Sequence, residues 1–379
     1  MIVVDPAFEI VRYQSDHKEQ VLQLQQHHWG PDAALNRAYF EWKYEQNPYL
    51  TQPALCLALH RGEVVGMRAI VGAKWWLGTS RRTIVIPCTD DFVIAPDHRD
   101  RGLASALIHA AFAYASDLGH SFLLSLRASS VNVLASLGAG YRSIGALEPA
   151  GRAGPQHAHF KRARQLLRRT RFLWRYADSP LLLAPSERMP FRRLDRSAET
   201  PTSRGSRIRI ERTPLPAAMA EMEDRLPPDD RIRQAHDPEY FDWVFRNPGL
   251  EFRYLFWESE GQLEGYLVLQ RSLLSRGEPA SVWVSDWEGT SDAIRADLLD
   301  AAVRHGCFSQ FATWTATYPE SVKATLTRFG FVPIDLERRA RGQPAALIRP
   351  VRDADPDREW TLEGRQVMGL DNWRFRLLD

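Results

Sequence analysis

Apolar positions along this chain follow two periods, and the switches between them mark out elements. Phe92 to Ala95 is a short apolar run that ends at Pro96, which reads as a strand. Beyond a polar turn holding Arg99, a helix opens at Gly102 and Ala104. It continues through Leu107, Ala111, Tyr114 and Leu118 at helical spacing, and Gly119 supplies its stop. A second strand, Phe122 to Leu126, follows directly. A short helix from about Ser130 to Leu137 comes next, and Gly140-Tyr141-Arg142 opens a further strand. The predicted order is strand, helix, strand, helix, strand.

The pattern then repeats. AYFEWKYEQNP (Ala38 to Pro48) is echoed by EYFDWVFRNPG (Glu239 to Gly249), with one residue fewer before the Asn-Pro pair. HRGEVVG (His60 to Gly66) is echoed by SEGQLEG (Ser259 to Gly265), and each reads as a glycine-turned hairpin. Val282 to Val284 reads as a strand, Ser291 to His305 as a helix stopped by Gly306, Phe308 to Thr315 as a strand and Glu320 to Phe329 as a helix. Gly330-Phe331 then mirrors Gly140-Tyr141. Four echoes in one order, offset by roughly 190–200 residues, predict two copies of one α/β domain. The first spans 1–150 and the second 207–379, with 151–206 between them. Pro190 to Ser206 is polar and Ser/Thr/Pro-rich, as a linker is.

Composition fits this division. The chain has 379 residues, comfortable for two domains, and 44% are hydrophobic, which supports sizeable cores and excludes global disorder. No apolar stretch approaches the ~18 residues needed to span a bilayer. The N-terminus has no charged segment ahead of an apolar run, so no signal peptide is predicted. Cys56, Cys88 and Cys307 are far apart and lack metal spacing, so they read as reduced thiols of a cytoplasmic protein. The histidines form no H-E-x-x-H or Cys/His cluster, and no metal is expected.

The net charge of +2 conceals a basic segment. Residues 161–196 hold eleven Lys/Arg against Asp178, Glu187 and Asp195. Within them, 158–177 reads as a basic amphipathic helix. It either docks between domains with a solvated face, or meets an anionic membrane surface or an anionic polymer. The oligomeric state is not readable.

The turn from Pro96 to Ser105 carries the chemistry. A helix N-terminus offers unpaired N–H groups and the positive end of a dipole. Gly102 and Ala104 let an anion approach those amides, and Arg99 and Arg101 add charge, so the geometry suits a pyrophosphate. A tight turn with surface arginines is the plainer reading. The pattern Arg99-x-x-Gly102-x-Ala104, preceded by Phe92–Pro96, resembles the acetyl-CoA motif of the GNAT acyltransferase superfamily. The elements downstream resemble that family's core as well.

The resemblance implies two tandem GNAT-like domains, each a mixed, largely antiparallel twisted sheet flanked by helices. It implies an N-acetyltransferase that takes an acetyl or other short acyl group from acyl-CoA to an amine on a small molecule, sugar or peptide. The cofactor would meet Phe92, Val93 and Ile94 on a strand that splays from Phe122–Leu126. It would also meet Arg99, Asp100, Arg101, Gly102, Leu103, Ala104 and Ser105 at the turn, and Asn132 on the short helix. Asp90 and Asp91 are the candidate bases, each also readable as a strand-end capping or hydrogen-bonding aspartate, and strand alternation puts them on opposite faces, so at most one points at the cleft. The terminal Asp379 is another candidate. Ser130 is either part of the catalytic set or the short helix's N-cap. Many members place an acidic tyrosine where this chain has Ser136, and Tyr141 reads as core. Tyr39, Trp42 and Tyr44 form an aromatic cluster near the expected acceptor cleft and read as core rather than as substrate contacts. In the second copy the arginines are gone, and Asp286, Glu288 and Asp292 are expected to crowd the turn, so no CoA site is expected there. A non-catalytic acyl-CoA binder and an interaction protein using the basic segment are the alternatives.

Overall fold

The structure is a computed structural model. It describes residues 7–128, 130–154, 162–163, 165–167, 169–170, 189–197, 199–201, 206–274, 281–334, 345–351 and 360–376. Most of the predicted basic helix, and Asp379, lie outside these residues.

In the first copy β1 (Phe8–Arg12) leads to helices α1 (Lys18–Trp29) and α2 (Ala33–Phe40). Strands β2 (Ala54–His60) and β3 (Glu63–Val71) follow as a hairpin. Its turn holds Arg61 at φ 53° and Gly62 at φ 82°, and the hairpin β13 (Leu250–Ser259) to β14 (Gln262–Ser272) turns on Glu260 at φ 52° and Gly261 at φ 79°. Two residues at positive φ make the turn whose twist suits paired strands, and glycine occupies the second position at no steric cost. The sequence echo here is therefore an echo of backbone geometry.

A short hairpin, β4 (Lys74–Leu77) and β5 (Arg82–Val85), precedes β6 (Cys88–Ile94) and α3 (Leu103–Asp117). Then come β7 (Phe122–Ala128), α4 (Ser130–Gly138), β8 (Arg142–Ala146) and β9 (Pro149–Ala153). The second copy runs through β10 (Glu199–Pro201), β11 (Arg207–Glu211), α5 (Pro216–Asp224), β12 (Ile232–Gln234), α6 (Pro238–Val244), β13 and β14. It continues with β15 (Val282–Gly289), α7 (Asp292–His305), β16 (Gln310–Trp314), α8 (Glu320–Arg328), β17 (Val332–Pro333) and β18 (Ala345–Pro350).

The two large sheets exchange a strand. The first has the order β1-β2-β3-β6-β7-β18-β8, and the second β10-β11-β13-β14-β15-β16-β9-β17. β18, late in the chain, thus lies between β7 and β8, while β9, from the end of the first copy, lies between β16 and β17. Neither sheet is complete without the other copy's strand.

A seam joins the copies further. Trp42 and Trp243 stack at 5.0 Å and 11°. Each indole N–H donates to the other's backbone carbonyl, Trp42 Nε1 to Trp243 O at 2.8 Å and Trp243 Nε1 to Trp42 O at 3.0 Å. Both polar edges are satisfied while both rings are buried. The repeated Tyr-Phe-acid-Trp motifs are thus the two halves of one reciprocal contact. A four-stranded sheet, β5-β4-β12-β19 with β19 at Trp373–Arg374, bridges the copies beside it, over a core holding Trp75, Ile232, Trp373 and Phe375.

Candidate active site

Leaving β6 at Ala95, the chain makes a single turn at Pro96–His98, passes Asp100 at φ 60° and enters α3 through Gly102 at φ 77°. No side chain caps this helix. Its first helical bond is Ala106 N to Gly102 O, 3.2 Å. The N–H groups of Leu103, Ala104 and Ser105 have no acceptor within the helix, which is the geometry an anion uses. Gly102 and Arg101 are exposed, Ala104 and Ser105 half-buried, and Leu103 roots the turn in the core. Arg99 Nε donates to Ile94 O at 3.2 Å, and the Arg101 guanidinium lies 5.9 Å from the Phe8 ring. An acyl-CoA diphosphate fits these donors.

β6 and β7 run parallel and pair only at Cys88 and Leu124. Thr89 Oγ1 donates to Leu124 O at 3.2 Å in the crotch, and beyond it the strands have no ladder pairing among the described residues. The wedge matches the splay expected of the motif strand. Phe92 and Ile94 pack toward the α3 core and Val93 toward α1.

β6 also carries a bulge. Arg68 opposes Phe92 and Ala69 opposes Asp90, which leaves Asp91 as the extra residue, at φ 36°. The bulge suspends alternation. Asp90 and Asp91 therefore do not point to opposite faces as strand periodicity suggests. Both reach Lys43 Nζ, at 2.9 and 3.2 Å. Their surroundings differ: the Asp90 side chain is 52% exposed, and that of Asp91 is fully buried, accepting from the Tyr44 hydroxyl.

Lys43 is turned inward by a π-helical turn, Glu41–Glu45, closed by Gln46 N to Glu41 O at 2.8 Å. The first copy has one residue more than the second between Trp and Asn-Pro, and this turn absorbs it. Trp42, Lys43 and Tyr44 are consequently all buried. Lys43 Nζ also donates to the Tyr39 hydroxyl at 3.0 Å, with the Tyr39, Tyr44 and Trp29 rings 5.0–5.8 Å away. Burial alone would pull the ammonium's pKa down, but Asp90, Asp91 and Tyr39 together hold it well above its ordinary value. Burial, then Asp91 and Asp90, raise the Tyr44 hydroxyl far above its usual range, so it stays a donor.

The second copy's counterpart is built differently. Ser291 caps α7, its hydroxyl accepting from Ile294 N at 3.3 Å, and Asp292 pairs with Arg295 at 3.2 Å. Asp286 and Glu288 do not crowd this mouth as expected. They lie two apart on β15, share one face, and point into the interior. Asp286 accepts from Tyr266 at 2.8 Å and from Arg376 Nε at 2.7 Å, while Glu288 pairs with Arg374 and Arg376. Glu223, His236 and Asp286 bring potential metal ligands within 4.8 Å of one another. Arg376 on Asp286 and Arg233 on Glu223, at 3.4 Å, already supply the positive charge there. Residues 374–376 thus fill the second cleft with paired charge.

The residues named from the motif therefore gather around α3's mouth and the wedge. Ser130 and Asn132 lie in the first turn of α4, and their side chains are outside the described ones. Ser136 and Tyr141 are buried. Lys43 was missed, although the one-residue difference between the echoes marks its turn. Arg68 left no signal, since an arginine within an apolar run does not disclose whether it is paired.

Residues 19–139 match the model of the acetyltransferase (GNAT) family. No curated protein sequence matches the chain. Among solved structures it resembles a GCN5-related N-acetyltransferase from Anabaena variabilis, at 11% identity and TM-score 0.55, covering 91% of this chain and 73% of that one. A tandem GNAT protein from the clavulanic acid biosynthesis pathway gives 14% and 0.53, over 92% and 100%. N-myristoyltransferase of Saccharomyces cerevisiae gives 10% and 0.56, over 91% and 79%. At such identities the likeness concerns the fold. With the motif and wedge of the first copy and the family match over the same residues, residues 19–139 form a domain of the acetyltransferase (GNAT) family, and the chain as a whole shares its fold with a tandem GNAT protein.

Proposed function

We propose that the protein is an acyltransferase that moves an acetyl or other short acyl group from acyl-CoA, held by the first copy, to an amine on a small molecule, sugar or peptide. The observation that carries this reading is the contrast between two helix mouths. α3 opens through Gly102 with no side-chain cap, whereas α7 is closed by Ser291. Leu103, Ala104 and Ser105 would hold the diphosphate by their N–H groups, with Arg99 and Arg101 alongside. The strand Phe92–Ile94 would align the pantetheine arm in the wedge. The bound thioester supplies an activated acyl group.

Asp90 is the carboxylate positioned to take the amine proton at its Oδ atoms, because it is half exposed. Asp91 positions Lys43 and Tyr44. Lys43 follows Trp42, whose ring stacks on Trp243, so the acceptor would sit against the seam between the copies. Ser130 and Asn132 would meet the arm from α4. A reducing, cytoplasmic setting suits the three free thiols; among the described residues no helix is long and apolar enough to cross a membrane.

Calorimetric titration with CoA tests the cofactor site. The wild type and Ser291→Ala are expected to bind alike. Gly102→Val, which forces a β-branched residue to positive φ, is expected to weaken binding at least ten-fold. Equal effects of both variants would overturn the assignment. Binding without consumption of acetyl-CoA across a panel of amines would make the chain an acyl-CoA binder instead.

A further inference from the structure

Arg68 is a buried charge that the proposed chemistry leaves unused. It is 5% exposed, and Gly66 and Ile70, two residues either side of it on β3, face α3. Arg68 Nη2 donates to Thr89 Oγ1 at 2.6 Å, and the guanidinium lies 5.0 Å from the Phe92 ring. Thr89 in turn touches Leu124 O, and its hydroxyl is 3.4 Å from that of Tyr141. The guanidinium thus ends at the crotch of the wedge, where β6 and β7 part. Its Nε is buried without a partner, and among the described residues no carboxylate pairs with it. Every other buried arginine of the described residues meets a carboxylate: Arg233 meets Glu223, Arg253 Asp195 and Arg376 Asp286. In the second copy the residue opposite Trp287, as Arg68 is opposite Phe92, is the buried Leu267.

A buried guanidinium is held at a cost unless an anion meets it. Lys43, Asp90 and Asp91 gather at the opposite side of the sheet, with α2 and its π turn, so an acceptor there would not reach Arg68. A chain entering the wedge between the strands would. We propose that Arg68 reads a carboxylate on the far end of the acyl group, so that the preferred donor is the CoA thioester of a short dicarboxylic acid, malonyl to succinyl in length. Arg68 Nε and Nη donate to that carboxylate, and Thr89 and Phe92 hold the guanidinium in place. This inference rests on acyl-CoA binding to the first copy and adds the identity of the acyl group.

Calorimetric titration of the full chain with CoA, acetyl-CoA, butyryl-CoA, malonyl-CoA and succinyl-CoA tests it. Succinyl-CoA is expected to bind at least ten-fold tighter than butyryl-CoA, its neutral counterpart in length. Arg68→Met is expected to abolish that ratio while leaving CoA affinity unchanged, and Arg68→Lys to restore part of it. If the Met variant does not fold, the wild-type ratio decides the matter alone. Butyryl-CoA or acetyl-CoA bound as tightly as succinyl-CoA and malonyl-CoA, with CoA itself bound, would overturn the inference and leave the acyl-CoA reading standing. No binding of CoA at all would overturn that reading first.

Discussion

Asp90 and Asp91 are adjacent in sequence and share one ammonium, yet they are suited to different work. Asp91 is sealed between Tyr44 and Lys43, so a proton taken there has no route to water. Asp90 reaches Lys43 at 2.9 Å and keeps a solvent-facing side. A positioned base contributes about 10²–10⁴-fold to a proton-transfer step. Asp90→Asn is therefore expected to lower turnover by roughly that range, with the KM for acyl-CoA unchanged, in a steady-state thiol-release assay. Asp91→Asn removes one partner of a buried ion pair, and losing one partner costs about 3–5 kcal/mol. Urea unfolding should show a loss of that order. Equal turnover defects without any stability loss in the Asp91 variant would reverse the two roles.

Among the elements, those with a local cause were legible in sequence. The hairpins are written in Arg61-Gly62 and Glu260-Gly261, and the mouth of α3 in Gly102. The bulge at Asp91 was not, because it depends on register against β3 rather than on any residue type. Nor was the burial of Asp286 and Glu288, since a carboxylate enters a core only when partners such as Arg374 and Arg376 arrive from the far end of the chain. That cluster has a pH consequence through Glu223 on α5. Burial pushes the Glu223 carboxyl up, but His236, Arg374 and Arg376 pull it down further, and its folded pKa ends well below the ordinary value. A depressed carboxyl stabilises the fold above its unfolded pKa, near 4.3 for a glutamate, and that stability is lost as pH falls toward the folded value. Glu223→Gln is thus expected to lower stability at pH 7 by about 3–5 kcal/mol. The gap from the wild type should narrow as pH drops below about 4. Chemical denaturation at pH 7 and pH 3.5 would measure both, and a gap that widens in acid would contradict the assignment.

At the scale of the whole molecule, the reciprocal strands decide what the two copies are to each other. Pro149–Ala153 and Ala345–Pro350 look like ordinary short apolar strands, and nothing local in either says which sheet it joins. Each inserts between two strands of the other copy, so its loss opens two ladders at once. Without β18, the first sheet exposes the backbone of β7 next to buried Leu123 and Leu124. Without β9, the second exposes β16 next to Phe311. The Trp42–Trp243 contact and the bridging sheet add to the dependence, because each leaves half a bonded pair behind when the copies part. The chain should therefore behave as one cooperative unit despite its internal repeat. Residues 1–206 and 207–379 produced separately are expected to be largely insoluble or unfolded by circular dichroism. Produced together, they should recover as a one-to-one complex that binds CoA with the affinity of the intact chain. The full chain should unfold in urea in a single transition, coincident by tryptophan fluorescence and far-ultraviolet circular dichroism. A soluble first half that folds alone and binds CoA would mean that β7 and β8 close on each other without their borrowed neighbour, and the exchange would then be a matter of connection rather than of stability.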